Sequence, residues 1–187
     1  MSLYSYEEIC QNCRFATFHE CCGSFCKCRI KNYESNQINF YHGTCEKKAM
    51  LYFTLQELVD KETFEKHGSG CWLFFNSKAL VALDNLREFF RVPITVNNWH
   101  KGGSFQYRGY RPPDCKVGAK ASQHRFGNAF DCDIKGYTAE EARQKILANQ
   151  DDPLLMKIMR LEGRVGWLHV DFMKLPKNIK RIHVFNV

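Results

Sequence analysis

Two hydrophobic periods alternate along this chain, and the places where one gives way to the other outline a domain. Leu80, Leu83, Leu86 and Phe90 recur at helical spacing while Asp84 and Arg87 fall off the stripe, which predicts an amphipathic helix over 77–90 capped by Ser77. Pro93 stops it, and Ile94-Thr95-Val96 switches to a strand pattern. A second helical stripe covers 51–66, with Thr54 and Glu57 spaced as a capping box, and it breaks at His67-Gly68-Ser69-Gly70. Thr138 and Glu141 repeat that box before a helix carrying Ala142, Ile146 and Leu147. Asp151-Asp152-Pro153 then restarts a helix with Leu154, Leu155, Ile158 and Leu161 inward, ending at Gly163. Period two governs Asp131-Cys132-Asp133-Ile134, Trp167-Leu168-His169-Val170-Asp171 and a short run near Ile182 and Val184. Strands and helices together predict a mixed α+β domain over residues 51–187.

Residues 1–50 follow neither period. Cysteine dominates there instead: Cys10, Cys13, Cys21, Cys22, Cys26, Cys28 and Cys45 lie in this segment, out of 10 in the chain. So short a stretch buries little core, and a metal can supply the missing stability. A small Cys-rich module is therefore expected, with Cys10, Cys13, Cys28 and Cys45 as one possible four-thiolate structural zinc site. Cys21 or Cys26 can substitute, and reduced buried thiols or disulfides are the other options.

Candidate chemistry sits further on. His124 and Asp131 flank Gly127, which permits a sharp turn, and Asp131 opens a strand. A loop feeding a strand can fold that imidazole back over the carboxylate. A catalytic zinc takes three protein ligands and one open position. His169, in the second alternating run, is the third candidate, with Asp171 on the same strand face. The stretch 97–121 is long and irregular and leads into these residues, as a substrate-binding loop would.

At these positions the sequence resembles a known family. Ser122-Gln123-His124-Arg125-Phe126-Gly127-Asn128-Ala129-Phe130-Asp131 matches S-x-H-x-x-G-x-A-x-D, and Trp167 to Asp171 matches W-x-H-x-D. Both patterns are similar to the zinc peptidases of the D-alanyl-D-alanine carboxypeptidase family, which includes dipeptidases and phage L-alanyl-D-glutamate endolysins; the Hedgehog signalling domain shares their fold. Leu83 to Asn97 and Gly109-Tyr110-Arg111-Pro112 resemble the family's upstream helix, strand and G-Y-R-P segment, so the likeness spans about residues 75 to 173. It implies a Hedgehog/DD-peptidase-like α+β fold, an antiparallel sheet flanked by helices, with His124, Asp131 and His169 as zinc ligands. It also implies Arg111 as the group that holds a substrate carboxylate or peptide backbone, for which a planar guanidinium is suited; Arg108 competes for that role. By the same likeness Ser122 is expected to fix the loop or contact substrate, and Trp167 to wall the cleft. The substrate class implied is peptidoglycan stem peptides containing D-amino acids.

In such a site the ion lowers the pKa of bound water from 15.7 toward about 7, making zinc-bound hydroxide the nucleophile, and a general base moves the proton to the leaving amine. Many family members carry a Glu three residues before the last His; Gly166 occupies that position here. Glu162, seven before His169 across a turn, is the preferred base, and Asp171 is its substitute or a partner that orients a ligand histidine. Asp133 is a lesser candidate for either role.

The net charge of +7 suits an anionic cell wall, and equally a nucleic acid or a membrane surface. No apolar run approaches the length of a membrane span. The N-terminus lacks the basic start and apolar core of a secretory signal, so the expectation is cytoplasmic synthesis, with release to the wall as a phage-type lysin. A fold that keeps zinc but lacks a working base, acting as a binding or structural protein such as a phage component, is the alternative. Arg14, Phe15, Phe18, Phe25, Lys27 and Arg29 permit a weaker third option, nucleic-acid binding by the N-terminal segment.

Overall fold

The computed structural model describes residues 26–31, 38–43 and 50–186, the first two stretches as backbone pairing only. Two compact units divide the chain, Met1–Lys48 and Ala49–Val187. In the first, β1 (Cys26–Lys31) and β2 (Ile38–Gly43) form an antiparallel ladder, registered from Cys26 opposite Gly43 to Lys31 opposite Ile38. Cys10, Cys13 and Cys45 lie outside the described residues, as does the side chain of Cys28.

The second unit mixes helix and sheet. Its helices are α1 (Lys61–His67), α2 (Ser77–Phe90) and α3 (Ala139–Ala148). Its strands are β3 (Ile94–Thr95), β4 (Ala129–Ile134), β5 (Arg160–Glu162), β6 (Leu168–Asp171) and β7 (His183–Phe185), in the order β3-β4-β6-β5-β7. The neighbouring pairs are antiparallel except β5 with β7, which run parallel, so the expected antiparallel sheet has one parallel edge.

Helix α2 buries Ala79, Leu80, Leu83, Leu86 and Phe90 along the predicted stripe. These side chains share one core with Phe130, Cys132 and Ile134 of β4 and Leu168 and Val170 of β6. Because strand side chains alternate, the same register turns Asp131 and Asp133 of β4, and His169 and Asp171 of β6, to the opposite face. The core thus positions the site by subtraction: whichever residues the apolar face rejects are brought together on the other.

Three local expectations need correction. The 51–66 helix is interrupted. Its capping box is present, with the Glu57 carboxylate accepting from the Thr54 N–H at 2.9 Å, but it opens only a 3-10 turn, Leu55–Glu57. Asp60 then starts α1 by accepting from the Thr63 N–H at 3.0 Å, while Leu58 and Val59 are buried between the two segments. Asn76, rather than Ser77, caps α2, accepting from the Lys78 N–H at 2.9 Å. The helix expected after Pro153 is only a 3-10 turn, Pro153–Leu155, followed by β5. Leu155, Ile158 and Leu161 are all fully buried as their spacing demands, but cross-strand pairing of Arg160 with Asp171 and Leu161 with Val170 takes the backbone into the sheet.

The stretch 97–121 is irregular apart from a short 3-10 turn, Trp99–Lys101. Side chains and backbone anchor it. Asn97 donates from its side chain to the Val59 carbonyl at 3.0 Å and accepts from the Arg108 N–H at 3.0 Å. Tyr110 donates its N–H to the Leu58 carbonyl at 2.8 Å. Gly109 lies so close to Leu58 that a Cβ there would collide with the Leu58 carbonyl oxygen.

Truncating Leu86, which is 0% exposed, is expected to cost about 2–5 kcal/mol in unfolding free energy. Leu73→Ala, at a position 88% exposed, should change it by no more than about 0.5 kcal/mol. Urea unfolding of the two variants checks the contrast.

Candidate metal centre

Strands β4 and β6 place Asp131 and His169 directly opposite each other in the antiparallel register. His124 arrives from a 3-10 turn, Gln123–Phe126, that ends on Gly127. Gly127 has φ 62°, a left-handed conformation, and a Cβ there would strike the Phe74 carbonyl. That glycine is what allows the chain to fold the imidazole back over the strand.

Three donor atoms converge. His124 Nε2 lies 3.2 Å from Asp131 Oδ1 and 3.3 Å from His169 Nδ1, and His169 Nδ1 lies 2.7 Å from Asp131 Oδ1. Tetrahedral zinc with bonds of about 2.0–2.1 Å sets neighbouring donors about 3.3 Å apart. The triangle therefore fits a small divalent ion, with only the His169–Asp131 edge needing to lengthen. All three residues are buried.

The outward nitrogens of both rings are held. His124 Nδ1 is 2.8 Å from the Gly109 carbonyl, which accepts only if that nitrogen carries the hydrogen, leaving the Nε2 lone pair for the site. His169 Nε2 is 3.4 Å from Asp171 Oδ2, a longer contact with the same consequence for Nδ1. Asp131 is fixed from behind: Arg111 donates from Nη2 to Asp131 Oδ2 at 2.8 Å and from Nε to the Tyr107 carbonyl at 2.6 Å.

Without an ion, the three share protons. Burial pushes the His124 imidazole down despite the neighbouring carboxylate. Burial acts on His169 in the same sense, but its hydrogen bonds to Asp131 and Asp171 prevail and raise it to about 9. Asp131 is held below the usual carboxylate range: burial opposes its charge, and the two imidazoles outweigh burial. The site is thus an anionic oxygen between one neutral and one protonated ring, and an ion would replace that proton.

The remaining predicted residues divide into near and far. Glu162 Oε2 stands 3.9 Å from His169 Nδ1, on the donor side of the ring, and Glu162 is partly exposed. Asp171 is fully buried; Arg160 grips both its oxygens and the Met173 N–H donates to Oδ1 at 3.2 Å. Ser122 sits at the start of the turn carrying His124, where its carbonyl accepts from the Arg125 N–H. Trp167 is 37% exposed, two residues before His169, and its carbonyl accepts from Arg143. Arg108 turns to Asp133, with Nη1 2.6 Å from Oδ2, and lies over the Phe105 ring. His100, His67 and His183 are not among the three residues whose donors converge.

Three contributors escaped sequence reasoning. The Gly109 carbonyl is a backbone group with no signature. The helical spacing of Leu154, Leu155, Ile158 and Leu161 masks Arg160, although Arg160-Leu161-Glu162 is a period-two triplet. Phe185 meets the His169 ring edge-on at 5.9 Å, and the weak C-terminal alternation gave no reason to bring it to the site. Comparison of the chain with protein-family models, curated proteins and solved structures finds no match.

Metal binding should compete with the proton on His169. Below its value of about 9 that proton must leave before Nδ1 can ligate, whereas His124 is already neutral. The apparent affinity for zinc is expected to weaken about tenfold for each pH unit between roughly pH 8 and 6. Chelator-competition titrations measure the slope; a flat profile would contradict the proton assignment.

Proposed function

We propose that residues 51–187 form a zinc metallopeptidase of the D-alanyl-D-alanine carboxypeptidase type, with a Hedgehog/DD-peptidase-like fold, acting on peptidoglycan stem peptides. The observation that carries this reading is the convergence of His124 Nε2, Asp131 Oδ1 and His169 Nδ1 in a buried triangle of ion-binding size. These are the residues that the two family-like motifs nominate. No described helix is long and apolar enough to cross a membrane.

Two imidazole nitrogens and one carboxylate oxygen suit a borderline-soft ion and leave one tetrahedral position over. Zinc, when bound, supplies a Lewis acid and a water of lowered pKa, about 7 against 15.7. The chain's own residues do the rest. Glu162 takes a proton from water and returns it to the leaving amine, for which its place beside the donor atoms and its partial exposure are suited. Asp171, enclosed by Arg160 and the Met173 N–H, has no oxygen available for that shuttle and instead orients His169.

Arg111 holds Asp131 in its ligating pose. Its Nη1 is engaged neither by Asp131 nor by Tyr107 and lies over Gly118, where a Cβ would approach it to 2.6 Å. That nitrogen is the one offered to a substrate carboxylate. Ser122 supports the turn beneath it, and Trp167 contributes an apolar wall. Around the centre, Arg111 and Arg160 supply two positive charges against three from Asp131, Asp171 and Glu162, so a divalent ion makes the cluster net positive. Such a centre favours an anionic peptide terminus and a developing oxyanion. In the N-terminal unit, a structural zinc on Cys10, Cys13, Cys28 and Cys45 remains part of the proposal.

The alternative, a zinc-containing binding protein without turnover, is favoured by Gly166, which stands where many family members place their base. Digestion of purified peptidoglycan separates the two. New free amino groups are expected, absent with His169→Ala and after chelation. Glu162→Gln should lower kcat about 10²–10⁴-fold while zinc content stays unchanged. Zinc-loaded protein that releases no amine from any wall peptide would contradict the peptidase, and full activity in Glu162→Gln would remove Glu162 as base.

A further inference from the structure

Resting on the metal-centre reading above, we infer that Arg160 is a positioning residue: braced on the Phe185 ring and gripping Asp171, it fixes which nitrogen His169 presents to the ion. This makes the C-terminal strand β7 a working part of the centre rather than a trailing edge.

The geometry begins in the backbone. Arg160 opens β5 directly opposite Asp171 of β6 on one side and His183 of β7 on the other. From there the guanidinium meets the carboxylate in a fork, with Nε 2.9 Å from Oδ1 and Nη2 2.6 Å from Oδ2. A planar, rigid donor pair of this kind sets the carboxylate's orientation as well as its charge, which an ammonium would not do. Asp171 is 0% exposed, so without Arg160 it would be a buried carboxylate with only the Met173 N–H and one imidazole as partners. Without the fork that carboxylate is free to turn, and its contact with Nε2, the hydrogen bond that holds the outward side of the His169 ring, is lost.

Phe185 ties the arrangement together. Its ring centroid lies 4.5 Å from the Arg160 guanidinium carbon, a cation–π distance, and 5.9 Å from the His169 ring at an interplanar angle of 86°. One aromatic side chain therefore backs both the ligand and the arginine that orients it. The Gly163 N–H donates to the Phe185 carbonyl at 2.7 Å, which pins β7 beside Glu162. Ligand orientation, the arginine fork and the proposed base thus share the β6-β5-β7 side of the sheet.

The test uses the full chain and reads metal binding rather than activity. Zinc affinity by chelator competition, the visible spectrum of the cobalt-substituted protein and the His169 Nε2–H resonance are measured for wild type, Arg160→Gln, Arg160→Lys and Phe185→Leu. Arg160→Gln is expected to bind zinc about 10–100-fold more weakly, with an altered cobalt spectrum and loss of the protected Nε2–H signal. Arg160→Lys, which keeps the charge without the fork, and Phe185→Leu should fall between it and wild type. Helical circular dichroism in chelator controls for folding; should Arg160→Gln not fold, Arg160→Lys and Phe185→Leu decide. Folded variants with wild-type affinity, spectrum and resonance would overturn the role of Arg160. Wild type that holds no ion at its histidines would instead sink the metal-centre reading itself.

Discussion

A carboxylate buried between two imidazoles is the constraint from which the rest of this domain follows. Asp131 is 4% exposed, and one of its oxygens faces both His124 and His169. An uncompensated charge at such depth costs about 3–5 kcal/mol when one partner of a buried pair is removed. The fold meets that demand from every side. The β4–β6 register supplies His169, the turn ending at Gly127 supplies His124, and the loop before it supplies Arg111.

The same demand explains the long loop. Residues 97–121 carry little regular structure, yet they hold the carbonyl that orients His124 and the guanidinium behind Asp131. Another arginine stitches the loop to the turn: Arg125 donates to the carbonyls of Pro112, Pro113, Cys115 and Ala119. A segment fastened by side chains to backbone carbonyls can be irregular and still hold a side chain in a defined place.

What could be read from the sequence reflects which interactions are local. The α2 stripe, the Thr138–Glu141 capping box and the β4 and β6 alternations are set by neighbours a few residues apart, and all appear where periodicity places them. Between Pro153 and Gly163 the expected helix does not form: Leu155, Ile158 and Leu161 have helical spacing and are indeed buried, while the decisive contacts, β5 with β6 and β7, come from residues distant in the chain. Leu58 and Val59 likewise split the first helix because the core claims both. The meeting of His124, Asp131 and His169 was legible because a glycine turn before one strand and the alternation of another bring them to one face; its support was not. The Gly109 carbonyl is invisible in any sequence, and Arg160 and Phe185 matter only once β5 and β7 are known to pair.

X-ray absorption at the zinc edge of the full chain loaded with two equivalents of zinc, enough to fill both the histidine centre and a cysteine site, tests the central claim most directly. Two imidazoles and a carboxylate predict a shell of nitrogen and oxygen scatterers at about 2.0–2.2 Å with imidazole outer-shell features. A shell made wholly of sulfur at about 2.3 Å would contradict it, assigning the ion to cysteines and leaving Asp131 with only its protons and its arginine.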